Sequence, residues 1–192
     1  LKEALTIGTN NSTAIASQVD GFYKNSAIFI PWPEEALAMK EKLIQLGFQN
    51  KVTEFETSLN RAAEEAAKEA APIFVDAITT MKVTDGFTIL RGDDTAATHY
   101  LREKTYAPLK AKFSPKVKSA IQKVNVTSYW TPLVNLYNAI PAVKKVNPDL
   151  DDYVPNKAIN GLMILIGKVE TKIRTIVNAR VTDILKKVFE RQ

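Results

Sequence analysis

Cysteine is absent from this chain of 192 residues. That excludes disulfides, cysteine nucleophiles, iron–sulfur clusters and thiolate zinc sites. It leaves the compartment open, since exported bacterial proteins often lack cysteine too. There is one histidine, His99, so a metal site built from several histidines of one chain is excluded as well. Long apolar runs are missing: the longest, GLMILIG at 161–167, falls far short of the ~20 residues a membrane-spanning helix needs. No Gly-x-Ser-x-Gly elbow and no phosphate-binding Gly-Lys-Ser/Thr loop occurs. No stretch alternates cleanly with period two, so a sheet is not expected. No signal peptide is visible. The chain nevertheless starts with Leu1 inside a helical pattern, LKEAL, which suggests a processed or trimmed chain.

What is present describes an ordinary soluble globular protein: 45% hydrophobic and 24% charged residues, enough to bury a real core. The net charge of +5 hides an asymmetry. Residues 1–96 hold 9 Lys and Arg against 14 Asp and Glu, whereas residues 97–192 hold 17 against 7. A basic half can face an anionic partner, or the two halves can attract each other within one fold.

The hydrophobic pattern is helical nearly throughout. It predicts an all-α fold, one domain over 1–192, with about eight helices, some kinked, and one long aromatic and proline-rich loop. Helices are expected over 1–19 and over 34–46, the latter with Pro33 at its start and Gly47 beyond its end. Thr53 and Glu56 have capping-box spacing, which places a helix start at Thr53. Ala62, Ala66 and Ala70 then give a small-residue face for close helix packing. Pro72 should kink or restart this helix, which continues to about Met81. Thr84 and Gly92 bracket a short helix. A long helix follows from Asp94, bent or broken at Pro108, and another starts at Ser114 and Pro115. Trp130, Leu133, Tyr137 and Ile140, with Leu136 or Val134, form a further stripe, closed by Pro141. Residues 147–152 read as a loop with Asp151 and Asp152 capping the next helix. That helix, to about Val177, is apolar on both sides around Ile164 and Leu165, so it is the expected central helix. Thr182 should cap a last short one.

Three constellations invite a functional reading. The stretch RGDDTAATHYLREKT, 91–105, resembles an adhesion tripeptide or a metal site, yet Gly92 closing one helix and Asp93–Asp94 opening the next explains it as a capped corner. His99 and Glu103 are one helical turn apart, but no third ligand has matching spacing, so no metal site is assigned. The segment DGFYKNSAIFIPWPEE, 20–35, carries Phe22, Tyr23, Phe29 and Trp32. It either folds back on the core or forms a binding loop. Asn60 and Arg61 on the alanine-rich helix form a polar point with Glu64 and Glu65 as neighbours. The lysines of LKAKFSPKVKSAIQK, 109–123, are the best contacts for an anionic partner, although no nucleic-acid-reading motif accompanies them.

Taken together, LKEAL, DGFYKNSAIFIPWP, EFETSLNRAAEEAAKEAAPIFVDAI, GDDTAATHYLREKT, YNAIPAVKKVNPDLDDYV and ARVTDILKKVF carry a resemblance to the bacterial domain-of-unknown-function 4197 family over essentially the whole chain. The resemblance implies a small exported protein in the periplasm or envelope. It supplies no catalytic residue, metal or cofactor. It implies that the corner matters more than His99, with Asp93, Asp94 and Arg102 in the shared motif and Arg102 seeking an acidic partner. The expectation is a non-enzymatic envelope protein that binds a protein partner or a small apolar ligand. The rivals are a binder of phospholipid or nucleic acid through the basic half, and a hydrolase using the Asp93–Asp94 corner.

Overall fold

The small side chains of the first helix set the arrangement. In a computed structural model, which describes residues 1–84, 86–176, 180 and 183–190, α1 spans Lys2–Ala16 and buries Ala4, Leu5, Gly8, Thr9, Ser12, Thr13 and Ala16. These recur at helical steps of three and four. With so little side chain on that face, α1 lies closely against α8, Tyr153–Thr175, and α4, Ala70–Thr80. The other helices are α2, Leu37–Gln45, preceded by a 3-10 turn at Glu34–Ala36; α3, Gln49–Ala67; α5, Gly86–Leu90; α6, Ala96–Val124; α7, Val126–Asn138; and α9, Asp183–Phe189. The fold is all-α, with nine α-helices and no strand among the described residues.

The alanine-rich face behaves as its composition dictates. Ala62, Ala63, Ala66 and Ala67 of α3 are buried, and α3 packs on α6 and α7. The central-helix expectation holds for most of α8, whose Ile159, Leu162, Met163, Leu165, Ile166 and Ile173 are buried. It fails at Ile164, which is 44% exposed, so α8 is not covered all round. Gly161 shows how α8 meets the chain segment 17–33. A Cβ there would lie 2.9 Å from the Phe22 ring and 3.2 Å from Ile28, so only glycine lets that segment lie on the helix.

Several boundaries differ from the pattern-based expectation. Thr53 is not a helix start: α3 begins a turn earlier, and the Thr53 hydroxyl donates back to the Gln49 carbonyl. The restart before α4 falls at residues 68–69, with Pro72 in the first turn of α4, where its missing N–H costs little. The largest difference is α6. It runs unbroken through Pro108 and Pro115, so Ser114 caps nothing. Both prolines lie on the exposed face, while Leu101, Thr105, Leu109, Phe113, Val117 and Ile121 continue one buried stripe. Water can solvate the carbonyls that lose partners, and the core holds the helix together. Asp152 occupies the N-cap position of α8 but makes no capping bond; its carboxylate meets Lys110 at 2.9 Å instead. Gly47 does close α2, at φ +88°. The expected cap Thr182 lies outside the described residues.

Two irregular segments are fastened by asparagines. Asn60 of α3 accepts from the Ile30 N–H at 2.8 Å and donates to the Ile30 carbonyl at 2.9 Å. Asn138 of α7 does the same for Val146, at 2.9 and 3.1 Å. In each case a side-chain amide replaces a missing strand partner for extended backbone.

Candidate functional site

The aromatic segment 20–35 is mostly core. Phe22 and Trp32 are fully buried. Trp32 meets Phe55 edge-on at 4.9 Å and Trp130 at 5.4 Å, and Phe55 stacks on Trp130 at 4.3 Å. Tyr23 and Phe29 are half-buried, with ring centres 6.0 Å apart. The alternative that the segment folds back on the core thus accounts for Phe22 and Trp32, which are not available as a recognition surface.

The polar point beside it has a holding geometry. Buried Glu64 accepts from the Asp20 N–H at 2.7 Å and from Arg61 at 2.7 Å, and Arg61 also reaches Asp20 at 3.0 Å. Arg61 lies 5.2 Å from the centre of the Tyr23 ring. Hydrogen bonds from Lys24 and then Arg61 hold the Asp20 carboxyl below its ordinary range. Asp20 has φ +70°, a left-handed conformation these contacts stabilise. Glu65, expected near Arg61, instead pairs with Lys68 and Lys123.

At the corner, the Asp93 carboxylate accepts from the Thr95 N–H at 2.9 Å and its hydroxyl at 3.2 Å, and the backbone contact lowers the Asp93 pKa. Asp93 therefore closes a turn onto Thr95 and does not cap the helix: Thr95 is the N-cap residue of α6 and its own side chain makes no capping bond, and α6 starts at Ala96, not at Asp94, whose side chain is exposed. The first free amides of α6 are satisfied from α8. Glu170, 1% exposed, accepts from Ala97 N–H at 2.9 Å, Thr98 N–H at 2.8 Å and the Thr98 hydroxyl at 2.6 Å. Arg174, one turn on, donates to Glu170 at 2.9 Å and to the carbonyls of Leu90 and Ile89 at 2.8 and 3.0 Å. Arg180 in turn donates to the carbonyls of Ile173 and Arg174 at 2.8 and 2.7 Å. A carboxylate thus sits at one helix start and guanidinium groups at two helix ends, the signs that helix dipoles favour. None of these three residues was singled out from the sequence. The available signal was Glu170 and Arg174 four apart, next to buried Ile166 and Ile173. Arg102, expected to meet an acid, instead donates to the Asn160 amide oxygen at 2.8 Å. His99 is exposed and forms no ion pair with Glu103.

The expected attraction between the two halves is visible at α6. Lys112 meets Asp76 at 2.8 Å, Lys116 meets Glu69 at 3.3 Å, and Lys123 meets Glu65. Among the described residues no three His, Asp or Glu side chains cluster as metal ligands, and no helix is long and apolar enough to cross a membrane.

A groove with a volume of about 450 Å³ lies between α4 and α6. Ile73, Ala77, Met81 and Leu109 form an apolar floor. Lys82 and Lys104 stand at its rim, Lys104 5.6 Å from the Tyr100 ring centre, and neither pairs with a carboxylate among the described residues. The Tyr100 hydroxyl donates to the Lys82 carbonyl, and the Lys112–Asp76 pair closes one end. The groove can hold a small molecule with an apolar body and an acidic group.

No curated protein and no solved structure matches this chain. A family model described as "Protein of unknown function (DUF4197)" matches residues 1–190. Nearly the whole chain is covered, and the protein belongs to the DUF4197 family.

Proposed function

We propose that this is a binding protein, not a hydrolase, and that its α4–α6 groove takes a small amphipathic molecule with an apolar body and an acidic head. The observation that carries this reading is the groove itself: an apolar floor beneath two lysines that have no carboxylate partner among the described residues. A buried apolar tail gains free energy in proportion to the area it removes from water, and the rim lysines select the charged end. The aromatic segment is scaffold under this reading. The Asp93–Asp94 corner serves helix geometry, since Asp93 is engaged by Thr95. An envelope location belongs to the same proposal and rests on the family resemblance; cell fractionation checks it.

The test is native mass spectrometry of gently purified protein, paired with titration of a fluorescent fatty acid. The expected result is a reproducible added mass of lipid or metabolite size and saturable probe binding. Ala77→Phe, which fills the floor, should abolish binding, and Lys104→Glu should weaken it about tenfold. A bare protein mass with no saturable binding overturns the reading. So does binding that both variants leave unchanged.

A further inference from the structure

Helices α6 and α8 run side by side, joined by a polar ladder with one rung per helical turn. Lys110 meets Asp152 at 2.9 Å, Tyr106 donates to Asn156 at 2.8 Å, and Arg102 donates to Asn160 at 2.8 Å. Each step moves four residues back along α6 and four forward along α8. The next position along the two helices would set Thr98 and His99 against Ile164. No polar rung forms there. The helices instead border a pocket of about 270 Å³, closed beyond by the Thr171 hydroxyl, which donates to the Asp94 carbonyl.

The lining of this pocket is cationic and hydroxylic. Arg102, Lys168 and His99 border it, with Thr95 and Thr171, over Met163 and Ile164. No Asp or Glu lines it. Of the nearby carboxylates, Glu170 is engaged by the α6 amides and Arg174, and Asp93 by Thr95, whereas Asp94 and Glu103 are exposed beside the pocket without lining it. Arg102 is already oriented, held by Asn160 and lying 5.8 Å from the Tyr106 ring centre. Lys168 and His99 make no ion pair among the described residues. Gly167 forms part of its wall. A Cβ there would lie 3.4 and 3.7 Å from the Thr95 and Thr98 methyls, ordinary contact distances, and would take up part of the space without a clash.

We infer that this pocket binds a phosphate-type oxyanion, either a free phosphorylated small molecule or a lipid phosphate headgroup. The Arg102 guanidinium and the Lys168 ammonium supply charge-assisted hydrogen bonds, while the threonine hydroxyls stay committed to Asp93, Glu170 and the Asp94 carbonyl. The site is separate from the α4–α6 groove and does not depend on it.

His99, as the sole histidine, gives one imidazole signal by NMR. Titration of the whole chain with inorganic phosphate at fixed pH and ionic strength should shift that signal saturably, with a Kd of about 1 mM or tighter. Chloride at matched ionic strength should not. Lys168→Gln and Arg102→Gln should each weaken binding about tenfold. Gly167→Ala should weaken it as well without lowering the melting temperature, which separates loss of the pocket from loss of the fold. Phosphatidylcholine vesicles with and without phosphatidic acid separate the two sources. Saturation by free phosphate with no vesicle retention identifies a soluble phosphate compound. Retention that requires phosphatidic acid and is lost in Lys168→Gln identifies a headgroup. A non-saturating response to about 10 mM phosphate together with no such retention overturns the inference, as does binding unchanged in both charge variants.

Discussion

Two polar clusters fasten irregular backbone to helices, and they do it in different surroundings. In the first, Asn60, Arg61 and Glu64 of α3 hold the segment around Asp20 and Ile30. In the second, Glu170 and Arg174 of α8 hold the end of α5 and the start of α6. Both satisfy amides and carbonyls that would otherwise lack partners. The first cluster lies at the edge of the core, with the Arg61 side chain about a third exposed. The second is sealed: the side chains of Arg174 and Glu170 are 2% and 1% exposed. Water can replace a lost partner around Arg61 and Asp20, but not around Asn60, which is 0% exposed, nor anywhere in the second cluster. The bonding is therefore adjustable at the Arg61 edge and obligatory at Asn60, Glu170 and Arg174.

Breaking the sealed cluster should have the largest effect. Glu170→Ala leaves Arg174 buried without its counter-charge and strips two helix-start amides, at a cost of about 5 kcal/mol, enough to unfold most of the protein by urea denaturation. A double change to Glu170→Gln with Arg174→Met sharpens the point. A simple buried ion pair often tolerates joint replacement by apolar groups. Here the double variant should stay destabilised, because the carbonyls of Ile89 and Leu90 lose the buried hydrogen bonds from Arg174, with the Ile89 carbonyl keeping the one from the Gly92 N–H. Full recovery would show that the pair, not the capping, is what matters.

Next in size is Trp32→Ala, which should cost about 3–5 kcal/mol by removing a buried ring that packs on Phe55 and Trp130. Asn60→Ala should cost about 2–3 kcal/mol, since it orphans the Ile30 amide and carbonyl. Arg61→Ala should cost only about 1–2 kcal/mol, between the values for exposed and buried pairs. Equal losses for Asn60 and Arg61 in chemical denaturation would mean that exposure does not set the scale.

The smallest effects concern acid and the basic helix. The Asp20 carboxyl is held below its ordinary pKa by Lys24 and Arg61. Its contribution is therefore present above the unfolded value near 4 and is lost as pH falls through the lower folded value. Amide exchange around Asp20 should quicken in that acid window, and Asp20→Asn should remove the pH dependence. Lys112→Ala should change stability by no more than about 0.5 kcal/mol, because its pair with Asp76 is exposed at both ends; a thermal melt checks this.

Much of the fold was legible in the residues. The all-helical pattern, the alanine face and the closure at Gly47 follow from local steps of three and four or from capping chemistry. The two prolines of α6 misled, because a local rule cannot see that Leu101 through Ile121 keep one buried stripe across them. The capping box at Thr53 misled for the same reason. The site residues divide the same way: Asn60, Arg61 and the Asp93 corner were visible as polar points among apolar neighbours. Glu170 and Arg174 were not, because the backbone groups they bond lie 72 to 85 residues away in sequence, and the two cationic grooves were not, because each is lined from separate helices.

The sequence by itself determined an all-helical chain without cysteine chemistry or a histidine-based metal site, since composition and helical periodicity act within a few residues. Only the tertiary structure decided that Phe22 and Trp32 are core, that Glu170 caps a distant helix, and that Arg102 and Lys168 border one pocket. Burial and the satisfaction of backbone ends depend on which helices come together, and that is set by packing across the whole chain.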